Sequence, residues 1–173
     1  MSSINFDLTK IKAFVFDIDG VLSSQTISLS SSGEPLRTAN IHDGYAINLA
    51  IKSGYGVAII TGGSSEAVRV RYAALGVKHI YMKSSVKMKD FTHLLENTDF
   101  KPEEMVYVGD DIPDYEVMQQ VALPVAPADA APEIKDIATY ISPRKGGFGV
   151  ARDIIEQVLR AQGKWMDKEA FGW

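Results

Sequence analysis

Cysteine is absent from the sequence, which excludes disulfides and thiolate metal sites and fits a reducing compartment. No stretch is long and apolar enough to cross a membrane, and residues 1–10 carry no apolar run of the signal-peptide kind. Basic residues do not predominate: 18 Lys and Arg stand against 22 Asp and Glu, a formal net charge of -4. No basic face is therefore expected for nucleic acid or an acidic membrane. The three histidines, His42, His79 and His93, lack metal-ligand spacing. Internal repeats and long low-complexity segments are missing as well. What is present is an ordinary globular composition, 46% hydrophobic and 23% charged over 173 residues. That predicts one cytoplasmic domain, 1–173, with a sizeable core.

The chemistry is concentrated where apolar runs stop. Residues 12–16 read as a buried strand that ends in Asp17-Ile18-Asp19-Gly20. Side chains alternate along extended backbone, so Asp17 and Asp19 project to the same side as the chain leaves the sheet, where open α/β folds put their ligands. A solvated turn accepts the same letters. A second run, 57–60, ends in Thr61-Gly62-Gly63-Ser64-Ser65 before a helix; this is either a serine-capped turn or an oxyanion cradle. Lys87 opens the next helix, where most lysines are solvated. A further buried run, 105–108, ends in Gly109-Asp110-Asp111-Ile112-Pro113-Asp114. Three acids so close after a buried strand need compensation that a solvated loop does not supply.

Between these lie an expected hairpin at about 24–41, with arms 26–29 and 36–41 around a Gly- and Pro-containing turn, and a helix begun by Asp43 as N-cap. Short strands at 79–82, 123–126 and 139–141 alternate with helices, and the last helix follows a glycine-rich basic loop, 144–149. That loop either touches an anion or merely connects. The tail, 163–173, holds Trp165, Phe171 and Trp173, aromatic surface that asks for cover. The alternation predicts a doubly wound, mostly parallel Rossmann-like α/β sheet with helices on both faces.

Taken as one site, the strand ends make chemical sense. A magnesium ion held by Asp17, the Asp19 backbone carbonyl and Asp110 would neutralise the acids, with Asp111 and Asp114 around it. Thr61 and Lys87 would hold phosphate oxygens while Asp17 attacks phosphorus and Asp19 protonates the leaving alcohol and later activates water.

These four stretches resemble the motifs of haloacid dehalogenase superfamily phosphatases over nearly the whole chain. The resemblance implies a Rossmann-like core, magnesium dependence, Asp17 as nucleophile and Asp19 as general acid/base. No room is left for a lid domain between Asp19 and Thr61 or between Thr61 and Lys87. Together with residues 17–22, 40–44, 109–114 and 146–149, this resembles the capless 3-deoxy-D-manno-octulosonate 8-phosphate phosphatases and their sugar-acid relatives. That subfamily implies four subunits joined through the hairpins, a neighbour's tail over each site, and substrate contacts from Thr61, Gly62, Lys87, Asp43, Gly44 and Arg152. Gly63 and His42 depart from its frequent arginines. Eight-carbon and nine-carbon sugar acids thus both stay open, with Arg69, Arg71, Lys83, Arg144 and Arg152 as candidates for the sugar carboxylate. A signalling receiver domain is disfavoured by the chain order of its acids, and a non-catalytic scaffold by the filling of every catalytic position.

Overall fold

Alternation along β1 (Ala13–Phe16) divides the interior in two. Phe14 and Phe16 face one apolar cluster, Ala13 and Val15 the other, and all four are buried. The computed structural model describes residues 4–172. In chain order, β2 (Ser28–Leu29) and β3 (Pro35–Leu36) precede α1 (Ile41–Lys52), β4 (Gly56–Ile60), α2 (Glu66–Ala74), β5 (His79–Tyr81) and α3 (Lys87–Glu96). Then come β6 (Met105–Val108), α4 (Tyr115–Met118), β7 (Leu123–Ala126), α5 (Pro132–Ile137), β8 (Tyr140–Ile141) and α6 (Val150–Ala161). The main sheet is six-stranded, in the order β5-β4-β1-β6-β7-β8. Every pairing described in it is parallel.

Residues of α1, α2 and α6 bury their apolar side chains with Phe14 and Phe16; those of α3, α4 and α5 do so with Val15 and Tyr107. The sheet is thus doubly wound, as the alternation of runs predicted. Phe16 is level with Ile59 of β4 and with Val108 of β6. The residues following these three strands therefore emerge along one edge. Because β4 and β6 lie on opposite sides of β1, that edge contains the point where the strand order reverses, which opens a crevice.

Several expectations need correction. The hairpin exists, but only two residues on each arm pair, Ser28 with Leu36 and Leu29 with Pro35, and Ile41 belongs to α1. The N-cap of α1 is Asn40, whose side chain accepts from the N–H groups of His42 and Asp43. Asp43 instead serves another helix: it is 1% exposed, and its Oδ1 accepts from Arg152 N at 2.7 Å in the first turn of α6. An acid near the start of one helix was read as its own cap when it caps the neighbour packed against it.

The tail lies on its own chain. Trp165, 6% exposed, has the Arg152 guanidinium 4.4 Å above its ring and Tyr45 edge-on. The Tyr45 hydroxyl donates to Ala170 O at 2.6 Å, and Lys52 Nζ donates to Gly172 O at 3.1 Å. Trp165 is thus covered from within, whereas Phe171 is 74% exposed; Trp173 lies outside the described residues. No helix among the described residues is long and apolar enough to cross a membrane.

Candidate active site

The crevice at the strand ends is a pocket of about 670 Å3. Asp17, Asp19, Thr61, Gly62, Lys87, Asp110, Asp111 and Asp114 all line it. Asp17 follows β1 directly, and its N–H donates to Val108 O at 3.1 Å, which continues the ladder one step past the strand. Its Oδ1 accepts from Ile18 N at 2.7 Å, and its Oδ2 lies 2.9 Å from Lys87 Nζ. The same ammonium lies 2.6 Å from Asp114 Oδ1. Asp114, 1% exposed, also accepts from the Tyr107 hydroxyl at 2.7 Å and from Asp110 N at 3.2 Å. Its oxygens are occupied by protein donors, so it organises the cluster. Asp111 is turned aside, capping the short turn that follows by accepting from Ile112 N.

Gly20 has φ +83, and a Cβ there would run into the Asp110 carboxylate. Glycine at this position is thus required twice, by backbone conformation and by space. Thr61 is 2% exposed, and its hydroxyl accepts from Gly63 N at 3.2 Å, which tightens the loop before α2. The residues following β5 close on this loop, with Ser84 N donating to Thr61 O at 3.0 Å.

Burial, followed by the nearby charge of Asp114, raises the Asp17 carboxyl to about 7 against the pull of Lys87. Burial and the charges of Asp17, Asp114 and Asp111 raise Asp110 to about 7 as well. Lys87 is pushed the other way by its own burial, but the two acids outweigh it and hold its pKa above the ordinary value.

One ammonium thus stands among three buried carboxylates whose oxygens lie within 4.8 Å of one another. Such a set of oxygen donors, with negative charge in excess, fits a hard divalent cation. Asp110, with Gln25 Nε2 at 3.4 Å, and Asp17, with one donor on each oxygen, are the members best placed to hold it, because Asp114 already accepts from three donors.

Other predicted contacts do not reach this pocket. Asp43 is under α6, where burial raises its carboxyl to about 6. Gly44 faces Arg71, whose Nη2 would be 2.6 Å from a Cβ there. Arg152 is paired with Glu156 and lines a separate cavity with His42 and Arg144. The segment 40–44 is carried away from the crevice because α1 packs along α6. None of the five cations predicted for the sugar carboxylate lines the pocket.

Sequence reasoning also missed residues. Tyr107 passed for core, although a hydroxyl in a fully buried strand demands a partner. Gln25 Nε2, which donates to Asp129 O at 2.8 Å and lies 3.4 Å from Asp110 Oδ2, gave no signal. Nor did Arg37, whose guanidinium forks onto Asp19.

A parallel doubly wound sheet whose edge joins paired acids, a threonine loop and a buried lysine defines a haloacid dehalogenase-like hydrolase, and residues 76–154 match the family of that description. The chain is 43% identical over 154 residues to the 3-deoxy-D-manno-octulosonate 8-phosphate phosphatase KdsC of Escherichia coli K12, spanning 89% of this chain and 82% of that one. A crystal structure of the Yersinia pestis phosphatase superposes with a TM-score of 0.88 at 38% identity, covering 92% of this chain and 86% of the other. The Moraxella catarrhalis phosphatase, solved with magnesium, phosphate and KDO, gives 0.87 at 29% identity over 92% and 91%. The chain belongs to the KdsC-type phosphatase family of haloacid dehalogenase-like hydrolases.

Proposed function

We propose that this chain is a magnesium-dependent phosphatase that releases phosphate from 3-deoxy-D-manno-octulosonate 8-phosphate. The observation that carries the reading is the position of Asp17, held by Ile18 N–H and Lys87 Nζ, on the strand-end edge it shares with Asp19 and Asp110. Magnesium bound by Asp17, Asp110 and the Asp19 carbonyl would offset the acids and polarise the phosphoryl group. Lys87 and Thr61, with the backbone at Gly62, orient the phosphate. An Asp17 oxygen attacks phosphorus as the bond to the sugar oxygen breaks, and Asp19 gives that oxygen its proton. Asp19 next takes a proton from water, which attacks phosphorus and restores Asp17. Asp110 would hold the metal, Asp114 fixes Lys87, and Asp111 shapes the loop between them.

Steady-state kinetics test the substrate. The ratio kcat/KM for the eight-carbon sugar-acid phosphate is expected to exceed that for a nine-carbon 9-phosphate by at least about tenfold, since one mismatched contact is worth roughly 1–3 kcal/mol. Equal or reversed values would reject the eight-carbon assignment.

We also propose that the protein is a cytoplasmic homotetramer joined through its hairpins. Leu29, Leu36 and the adjoining Ile41 are 66%, 51% and 69% exposed, an apolar projection that association would cover. Sedimentation of a single tetrameric species is the expected result, and a monomer at micromolar concentration excludes it.

A further inference from the structure

Arg37 follows β3 on the returning arm of the hairpin, where a cation is ordinarily solvated. Its side chain is 8% exposed. Nε donates to Asp19 Oδ1 at 2.7 Å and Nη2 donates to Asp19 Oδ2 at 2.9 Å. A two-point contact of this kind fixes the plane of a carboxylate as well as its distance. The Asp19 side chain keeps 36% exposure and lines the pocket.

The neighbouring loop is shaped around this pair. A Cβ on Gly63 would collide with Arg37 Nη2 and stand 3.0 Å from Arg37 Cζ and 3.2 Å from Asp19 Oδ2. Absence of a side chain at Gly63 is what admits the guanidinium. Arg37 Nη1 is buried without a hydrogen-bond partner in the protein. Leaving a buried donor unmet is costly, so stability alone gives little reason to hold the group there.

We infer that Arg37 is a positioning residue for the reaction: it aims Asp19 at the oxygen between sugar and phosphorus, and Gly63 keeps the place it needs. The inference rests on the proton-transfer role proposed for Asp19. The terminal torsion of an aspartate is broad, whereas proton transfer in the transition state requires hydrogen-bond reach and alignment. Arg37 supplies the alignment from outside the sheet edge. The hairpin, otherwise concerned with association, thereby acts on the reacting centre, and disturbance of its arms is transmitted to Asp19 through one side chain.

The test compares kcat/KM for two substrates, which reports steps through formation of the phosphoenzyme. The sugar-acid phosphate leaves as an alkoxide and needs a proton; p-nitrophenyl phosphate leaves as a stable phenolate and needs none. Arg37→Ala is expected to lower the first value about 10- to 100-fold, a share of the 10²–10⁴ that proton transfer supplies, and to lower the second at least tenfold less. Arg37→Lys should recover part of the loss, and Gly63→Ala should show the same leaving-group selectivity with the arginine still present. In the Asp19→Asn background, Arg37→Ala should cost less than about twofold more, because positioning has nothing left to act on. Equal losses on the two substrates, or full additivity with Asp19→Asn, would overturn the inference. If Asp19→Asn itself shows no leaving-group selectivity, the proton-donor assignment fails, and this inference fails with it.

Discussion

Asp17→Asn is expected to reduce phosphate release to background, a loss of about 10⁴-fold or more, while the protein remains folded. The size follows from the role: removing a covalent nucleophile deletes the route itself, and the other groups then have no bond to help form. An amide oxygen is a poor nucleophile toward phosphorus, and the neighbouring Asp114 is not free to replace the lost carboxylate. Asp114 is tied to Lys87, Tyr107 and Asp110 N. The fold should tolerate the change because Asn can still accept from Ile18 N and Lys87 retains Asp114. One buried acid also leaves a cluster in which burial first, and like charge after it, raises Asp17 and Asp110. A melting temperature at or above that of the parent, together with lost turnover, is the expected pair of results. Residual activity within about tenfold of the parent would refute the mechanism.

Magnesium should stabilise the protein strongly at pH 8 and weakly at pH 5.5. Asp17 and Asp110 have folded-state values of about 7, above the roughly 3.9 of an unfolded aspartate. Between those limits the native state binds more protons than the unfolded chain. The metal-free protein therefore loses stability as pH rises from about 4 to about 7. This is the reverse of the usual ion-paired aspartate, whose contribution is lost on acidification. Magnesium relieves the penalty but must displace protons below pH 7, so its effect grows across the same window. At 100 times its dissociation constant a ligand adds about 2.7 kcal/mol, and for a chain of this size that is about 5–10 °C. Thermal unfolding with EDTA or with magnesium at the two pH values measures this directly. A magnesium shift that is equal at both pH values, or a metal-free protein that gains stability between them, would contradict the charge assignment of the pocket.

The residues that proved legible share a cause. Asp17, Thr61 and the 109–114 stretch each follow an apolar run, and a parallel sheet with aligned registers delivers the residues after its strands to one edge. Lys87 joined them because its helix begins beside that edge, with Lys87 as the first residue of α3. The illegible residues depend on contacts that neither spacing nor period encodes. Arg37 sits among serine, proline and threonine in a hairpin whose letters say only that it turns. Asp43 carries the signature of a helix start, and the packing of α1 along α6 decides which helix it serves. Gly63 read as a missing side chain, and only the position of Arg37 shows what fills the space. The tail aromatics announced a need for cover; for Trp165 the cover is Tyr45 of α1 and the arginines of α6, while Phe171 stays 74% exposed.

Lys87 answers to Asp17 and Asp114 at once, at 2.9 and 2.6 Å. Losing either acid leaves it a partner, whereas losing the lysine strands two anions at a cost of roughly 3–5 kcal/mol for a broken buried pair. The pair of contacts thus makes the site lopsided: a variant without Asp17 keeps a matched ammonium, whereas a variant without Lys87 is left with two unmatched acids and is the less stable of the two.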